Sequence, residues 1–251
     1  MKQGANKTWM LMLVLVFVIP NLSLARDLNA SLAFLPKISE SPDKGAFVDL
    51  VKAFDELYTE GTIQIKVYPF PRSIDNVIQG AADFHIPLIK NPIIPEEKLP
   101  YRYCSEATGK VVLVIYSHKD KPITIDQIKQ AQSQKPFPYK MEVGSGLNGY
   151  FDFPIAISSG LDQSLKKVDA KRIDAFIWAQ EEGDFLVKEL KLKGIYRSNY
   201  GEFDDIIIIP KGPKGDEIDQ ILSDIIKKLR SSGRLEELHS KIHIPYDDWQ
   251  P

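Results

Sequence analysis

Cysteine is almost absent from this sequence: Cys104 is the only one in 251 residues. No disulfide can therefore form within the chain, and a small fold held together by disulfides is excluded. Neither sign of charge dominates, since 32 basic and 34 acidic residues give a net charge of −2. This balance offers no electrostatic argument for a nucleic-acid partner. Stability must come from a packed core, for which a hydrophobic content of 43% is ordinary.

The short motifs of common enzyme classes are also missing: there is no G-x-S-x-G, no H-E-x-x-H and no Walker loop. His239 and His243 stand four residues apart, which is the spacing of a metal pair on a helix. The sequence places no third ligand beside them. We therefore interpret the two histidines as part of a solvated helix face, and we predict no metal, no cofactor and no catalytic residue.

The one strongly apolar run, residues 9–20, is too short to span a bilayer comfortably. Lys2 and Lys7 precede it, and a small-x-small site ending at Ala25 follows it. This order is typical of a signal peptide, so we predict that residues 1–25 are removed. An uncleaved membrane anchor is the alternative. Loss of the two lysines would change the net charge from −2 to −4 and leave a soluble exported chain.

The remaining sequence alternates between strand and helix patterns. Residues 28–35, 62–68 and 82–88 are typical of strands. Between them, apolar residues recur at helical spacing after Gly45, and Ser73 can cap a second, shorter helix. A β-α-β-α-β order predicts an α/β fold with a parallel sheet and helices on its faces.

Two buried strands, residues 111–116 and 205–210, divide the chain. We interpret them as crossings between two lobes. The first lobe then comprises residues 26–115 and 205–251, and the second comprises residues 116–204. Within the second lobe the pattern predicts a helix that begins near Gly149. The alternative is that both crossings are ordinary core strands of a single α/β domain.

Three stretches, read in order, resemble the extracellular solute-binding proteins of family 3, the amino-acid-type periplasmic receptors. They are GAFVDLVKAF at 45–54, FPRSIDNVIQGAADF at 70–84, and the ending at 206–242 with PKG, a long helix and SSGRLEELHSKI. The resemblance implies a type II two-lobed fold that closes by hinge motion around a ligand in the cleft. It also implies a periplasmic monomer that serves either the permease of an ABC transporter or a sensor kinase.

The resemblance also suggests which residues contact the ligand. Phe34 and Phe70 match positions where aromatic rings stack on it, although core packing is the commoner role of phenylalanine. The turn at 144–149 resembles a glycine turn into a helix, whose close backbone approach and free N–H groups suit an anion. An ordinary glycine turn is the alternative. From this region we select four residues: Ser145, Gly146, Asn148 and, as a stacking surface, Tyr150.

The chain departs from the family pattern at two positions. The arginine that grips an amino acid's carboxylate is missing at 95–98, and Ala179 replaces the aspartate that holds its ammonium. Glu181 could replace that aspartate, and Trp178 could either line the cleft or pack in the core. We therefore expect a small polar or anionic metabolite with no required ammonium. Arg72 could pair bidentately with a carboxylate or be a surface residue. The other candidates are three cations and one histidine that is either a core or a ligand residue: Lys90, Lys98, Arg102 and His85.

Two other functions stay open. One is an exported enzyme on the same fold, similar to a cyclohexadienyl dehydratase, in which His85 or Glu181 would act as the acid or base. The other is a protein-docking module with a degenerate cleft.

Overall fold

A computed structural model describes residues 26–251. The predicted signal peptide and its cleavage site lie outside the described residues. Within residues 26–251, none of the helices combines the length and the apolar character that a bilayer crossing requires. The described strands are β1 Leu28–Ala33, β2 Ile63–Tyr68, β3 Phe84–Ile89, β4 Arg102–Tyr103, β5 Gly109–His118, β6 Met141–Val143, β7 Ala156–Ile157, β8 Ala175–Ala179 and β9 Ile195–Ile209. The described α-helices are α1 Ala46–Leu57, α2 Phe70–Ile78, α3 Ile125–Ala131, α4 Leu161–Asp169, α5 Gln180–Glu189, α6 Pro213–Ser231 and α7 Arg234–His239.

The start of the chain folds as the predicted β-α-β-α-β unit. Strand β1 pairs in parallel with both β2 and β3. Helix α1 buries its apolar face, which includes Phe47, Leu50 and Phe54. Helix α2 begins at Phe70, three residues before the predicted cap at Ser73. It can begin there because Pro71 lies in the first turn, where a proline removes no helical hydrogen bond.

Strands β5 and β9 carry the chain between the two halves of the molecule, which correspond to the two predicted lobes. They pair antiparallel along the whole of β5, with a register shift between Leu113 and Val114. The end of β9 also pairs with β3 and β4, and β5 pairs with β8. One open sheet of nine strands therefore runs through both halves, with β2-β1-β3-β9-β5-β8-β6-β7 as its main path.

The apolar core is nevertheless divided. Strands β1 and β3 with helices α1, α6 and α7 enclose one cluster. Strands β5, β6 and β8 with helices α3, α4 and α5 enclose another. This division agrees with a two-lobed fold. The predicted boundaries at 115/116 and 204/205 stay predictions, since both fall inside strands whose pairing continues on either side.

The helix predicted to begin near Gly149 is absent. Gly149 has a positive φ of 78° and ends a short 3-10 turn region, after which the backbone is irregular up to β7. Pro154 lacks the N–H that a helix through it would need, and it disfavours helical geometry at Phe153 before it. The next helix, α4, begins only at Leu161.

The C-terminal segment, residues 245–251, is irregular and packs against the second half of the molecule. Its Tyr246 and Trp249 join the second core cluster. The side chain of Gln250 bonds both the N–H and the C=O of Arg197, each at 2.9 Å. Arg197 is itself buried and forms a bidentate pair with Asp184, with both N–O distances 2.6 Å. The chain therefore crosses between the halves a third time, at its end.

Candidate functional site

Two aromatic side chains, one from each half, form the walls of a cleft. Phe70 begins α2, immediately after strand β2 has ended at Tyr68 and Pro69 has turned the chain. Trp178 lies in β8 and is 6% exposed. Both side chains line the same two adjoining cavities, together with Leu35. The cavities therefore lie between the halves, and contact of Phe70 and Trp178 with a ligand stays a prediction.

The outer cavity has a volume of about 170 Å³ and a mixed polar and apolar lining. Phe34 lies at its edge with half of its surface exposed. Ser145 joins the lining from the turn after β6, and α4 begins against the cavity at Leu161. The first N–H groups of an α-helix have no partner within the helix, so this end of α4 can donate to a ligand. The rest of the lining is Gly144, Ser158, Ser159 and Gly160.

The inner cavity is smaller, about 40 Å³, and mainly apolar. A buried water needs roughly 10–15 Å³ of cavity volume. The inner cavity therefore has room for about three waters and is too small for an amino acid. Polar groups occur among its lining residues in Glu182, Asp205 and His243. A ligand of metabolite size must therefore occupy mainly the outer cavity unless the halves separate.

The glycines of the 144–149 turn pack closely against the aromatic walls of the cleft. A methyl group on Gly144 would lie 2.2 Å from Trp178 Cζ3, and one on Gly146 would lie 2.8 Å from Phe70 Cε1. Both glycines are thus required for the close approach of the aromatic walls. Asn148, predicted as a ligand residue, is exposed and lines neither cavity.

Tyr150, predicted as a stacking surface, instead bridges the halves. It is buried, and its O–H donates a hydrogen bond to the carbonyl of Ile89. The side chain of Asn91 adds a second bridge by donating to the carbonyl of Gly149 at 3.2 Å. Burial raises the pKa of the Tyr150 hydroxyl well above its ordinary value. Tyr150 remains neutral, and it holds the 144–150 turn against the first half of the molecule.

None of the four predicted cations lines either cavity of the cleft. Arg102 pairs with Asp216 and, at 3.4 Å, with Asp219 of α6. Lys90 is exposed and lies 5.7 Å from the centre of the Tyr103 ring. Lys98 and Arg72 are both exposed. Arg72 lies in the exposed first turn of α2, and its predicted contact with a ligand stays a prediction.

His85 is a core residue that packs against Phe70, one wall of the cleft. It is fully buried, and its Nδ1 lies 2.7 Å from the hydroxyl of Ser73. Burial lowers its pKa to about 3, so the ring stays neutral. Its ring meets that of Phe70 edge to face, with centroids 5.6 Å apart. His85 lines neither cavity and positions Phe70.

A buried polar cluster lies where the crossing strand β9 meets the end of α7. His243 Nε2 lies 3.4 Å from Asp205 Oδ2, and its Nδ1 lies 3.2 Å from Glu181 Oε2. Burial lowers the pKa of His243, but the contacts with these two carboxylates outweigh burial and raise it to about 10. Burial lowers the pKa of His239, and the charge of His243 lowers it further. Glu181, predicted as a ligand residue, lines neither cavity and also accepts from the N–H of Ile244 at 3.1 Å.

The expectation that His239 and His243 lie on a solvated helix face is wrong. His243 is 8% exposed and lies beyond the end of α7, where the chain turns inward. Glu182, which the sequence did not single out, is buried beside Glu181 and lines the inner cavity. Burial, with the charge of Glu181, raises its pKa to about 7. The sequence does contain a feature that points to Asp205, because this aspartate begins the buried 205–210 strand. The strand pattern by itself predicts only a crossing.

Comparisons with known proteins find matches at the level of three-dimensional structure. No protein-family model and no curated protein matches the chain. A histidine kinase sensor domain with similarity to periplasmic binding proteins aligns with a TM-score of 0.68 over 87% of this chain and 96% of its own, at 14% identity. The substrate-binding protein of an ABC uptake transporter from Streptococcus pneumoniae, with bound histidine, aligns at 0.64 over 86% and 91%, at 15% identity. An ancestral amino-acid-binding protein, a precursor of cyclohexadienyl dehydratase, aligns at 0.63 over 86% and 94%, at 16% identity.

Identities this low carry the fold and not the ligand. The chain has the two-lobed α/β fold of the periplasmic binding proteins, as a divergent sequence on that fold. The predicted fold class is confirmed, and the predicted resemblance is confirmed as a likeness of fold.

Proposed function

We propose that the protein is a solute receptor that binds a small metabolite between Phe70 and Trp178 and does no chemistry on it. The observation that carries this proposal is that the two halves each contribute an aromatic wall to the same pair of cavities. A ligand held between walls from two lobes stabilises their closed arrangement, which is how a binding protein reports occupancy.

The lining favours a ligand with a flat or apolar body and a polar group that accepts hydrogen bonds. The body would stack on the aromatic walls, and the polar group would accept from Ser145 and the start of α4. Neither cavity offers an arginine or lysine, so a dianion has little support. A required ammonium has little support in the outer cavity, whose lining contains no acidic residue.

The occupied receptor would act on a membrane partner, either the permease of an ABC transporter or a sensor kinase, from the periplasm. The fold neighbours include a transporter binding protein and a kinase sensor domain, so both partners stay open. The chain itself would function as a monomer.

A thermal-shift screen of metabolites against the purified protein tests the proposal. A ligand that binds only the native state must raise the melting temperature. We expect a hit among small monocarboxylates or neutral aromatic metabolites, and mass spectrometry should recover it unchanged. Conversion of the ligand would support the enzyme alternative. If no compound in the screen raises the melting temperature, with amino acids among those tested, the result would contradict the receptor proposal and favour the docking alternative.

A further inference from the structure

We propose that Asp205, His239 and His243 form a binding site for a divalent transition-metal ion of the zinc type, at the junction of β9 and the end of α7. One ligand atom from each of the three side chains lies within 4.8 Å of the other two. The set of two imidazoles and one carboxylate is a common one for zinc, and it leaves a fourth position for solvent. The site does not depend on the proposed ligand in the cleft.

The distances suit a shared metal better than a direct contact. His243 Nε2 and Asp205 Oδ2 are 3.4 Å apart, longer than a normal hydrogen bond. Two ligands bound to one tetrahedral zinc at about 2.0–2.1 Å would be about 3.4 Å apart. Neither nitrogen of His243 makes a hydrogen bond of normal geometry to any described residue, although the side chain is more than nine-tenths buried. His239 Nε2 is also buried without such a partner.

The surrounding residues supply what a metal site needs outside its ligands. Glu181 Oε2 lies 3.2 Å from Nδ1 of His243, so with better alignment it would accept the Nδ1 proton and leave Nε2 free to bind the metal. Thr108 donates a hydrogen bond to Asp205 Oδ2 at 3.1 Å and orients that carboxylate. The two negative charges of Asp205 and Glu181 equal the charge of one divalent ion held by neutral imidazoles.

An ion can reach the site from solvent. His239 is only half-buried, and it lines a surface cavity of about 400 Å³ together with Thr108 and Gly109. Gly109 has no side chain, and a methyl group there would lie 2.0 Å from His239 Nε2. Because Gly109 has no side chain, the His239 ring has space beside β5. From there the ring can rotate toward the other two ligands.

Zinc titration of chelator-stripped, untagged protein tests the site. We expect one Zn²⁺ per chain by calorimetry, a raised melting temperature, and the visible spectrum of tetrahedral Co²⁺ when cobalt replaces zinc. His239→Gln should weaken Zn²⁺ binding at least tenfold and abolish the Co²⁺ spectrum. Glu181→Gln should weaken binding by about 10- to 100-fold, as expected for a partner that orients a ligand.

His118→Gln is the matched control, because it removes a histidine at the end of β5 opposite to Gly109. It should leave zinc affinity unchanged. Since His239 is half-buried, its variant should fold, and circular dichroism checks this before titration. Substoichiometric binding, or equal affinities of the His239→Gln and His118→Gln variants, would overturn the proposal.

Discussion

Trp178 lies so close to the backbone of Gly144 that the smallest side chain there would overlap it, 2.2 Å from indole Cζ3. Gly144 ends β6 and begins the turn that faces α2. The position of Trp178, one wall of the cleft, therefore depends on the absence of a side chain at Gly144, which follows the neighbouring strand β6.

Gly144→Ala should displace Trp178 and lower ligand affinity by at least tenfold, because the methyl group occupies space that the indole fills. Calorimetry with the first metabolite identified would measure this. Gly80→Ala is a suitable control: a methyl group there meets nothing within 4 Å, although φ is +72°. It should lower stability by about 1 kcal/mol through backbone strain and leave affinity unchanged. Equal affinities of the two variants would show that Trp178 does not contact the ligand.

Arg197→Met should strongly destabilise the protein. Its guanidinium is fully buried and paired bidentately with Asp184, so removal leaves a buried carboxylate without its partner. Breaking one side of such a pair costs about 3–5 kcal/mol, measurable as a loss in the free energy of unfolding by urea. Lys166→Ala breaks the exposed pair with Asp162 and should cost less than about 1 kcal/mol.

The double variant Arg197→Met with Asp184→Leu separates the ion pair from other effects. It should recover part of the lost stability, because both buried charges are then gone. If the double variant is as unstable as Arg197→Met alone, the loss would come from the contacts of Arg197 with the C-terminal segment rather than from the pair.

His85 should make the protein less stable in mild acid. Its pKa is about 3 in the folded state against 6.5 for an unburied histidine, so the unfolded chain binds the proton first. Stability from this group is complete above pH 6.5 and falls as the pH drops toward 3. Linkage gives a loss of about 2 kcal/mol between pH 7 and pH 5. Urea unfolding of His85→Gln should show a smaller loss over that range, and an unchanged pH dependence would contradict the assignment.

Arg102→Ala should leave ligand affinity unchanged, although the sequence made Arg102 a candidate for gripping an anion. Its guanidinium pairs with Asp216 and Asp219 of α6, outside the cleft. Because the pair is partly exposed, stability should fall by only about 1 kcal/mol. A large loss of affinity with unchanged stability would place Arg102 in the binding site instead.

The order of elements could be predicted because each depends on local patterns. The alternating apolar residues of β2 and the apolar face of α1 need only their own neighbours to be recognised. The false helix near Gly149 shows the limit of this approach. The apolar residues Phe151 and Phe153 fit more than one periodicity, and Pro154 decides against the helix.

The site could be predicted only in part, since it depends on contacts between distant segments. The family pattern predicts Phe70 as a stacking residue and leaves Trp178 open between cleft and core; both line the two cavities, and their contact with a ligand stays a prediction. The cations were selected by charge alone, and charge does not show that a residue such as Arg102 has a partner more than one hundred positions away. The meeting of Asp205 with His243 likewise depends on tertiary structure.

The fluorescence of Trp178 tests the central claim most directly. Trp178 and Trp249 are the only tryptophans after residue 25, so Trp249→Phe leaves a single reporter in the cleft. Titration of this variant with the metabolite from the screen should change the emission saturably, with the dissociation constant that calorimetry gives for the wild-type protein. Binding seen by calorimetry without any change in Trp178 emission would contradict the account and place the ligand outside the cleft between Phe70 and Trp178.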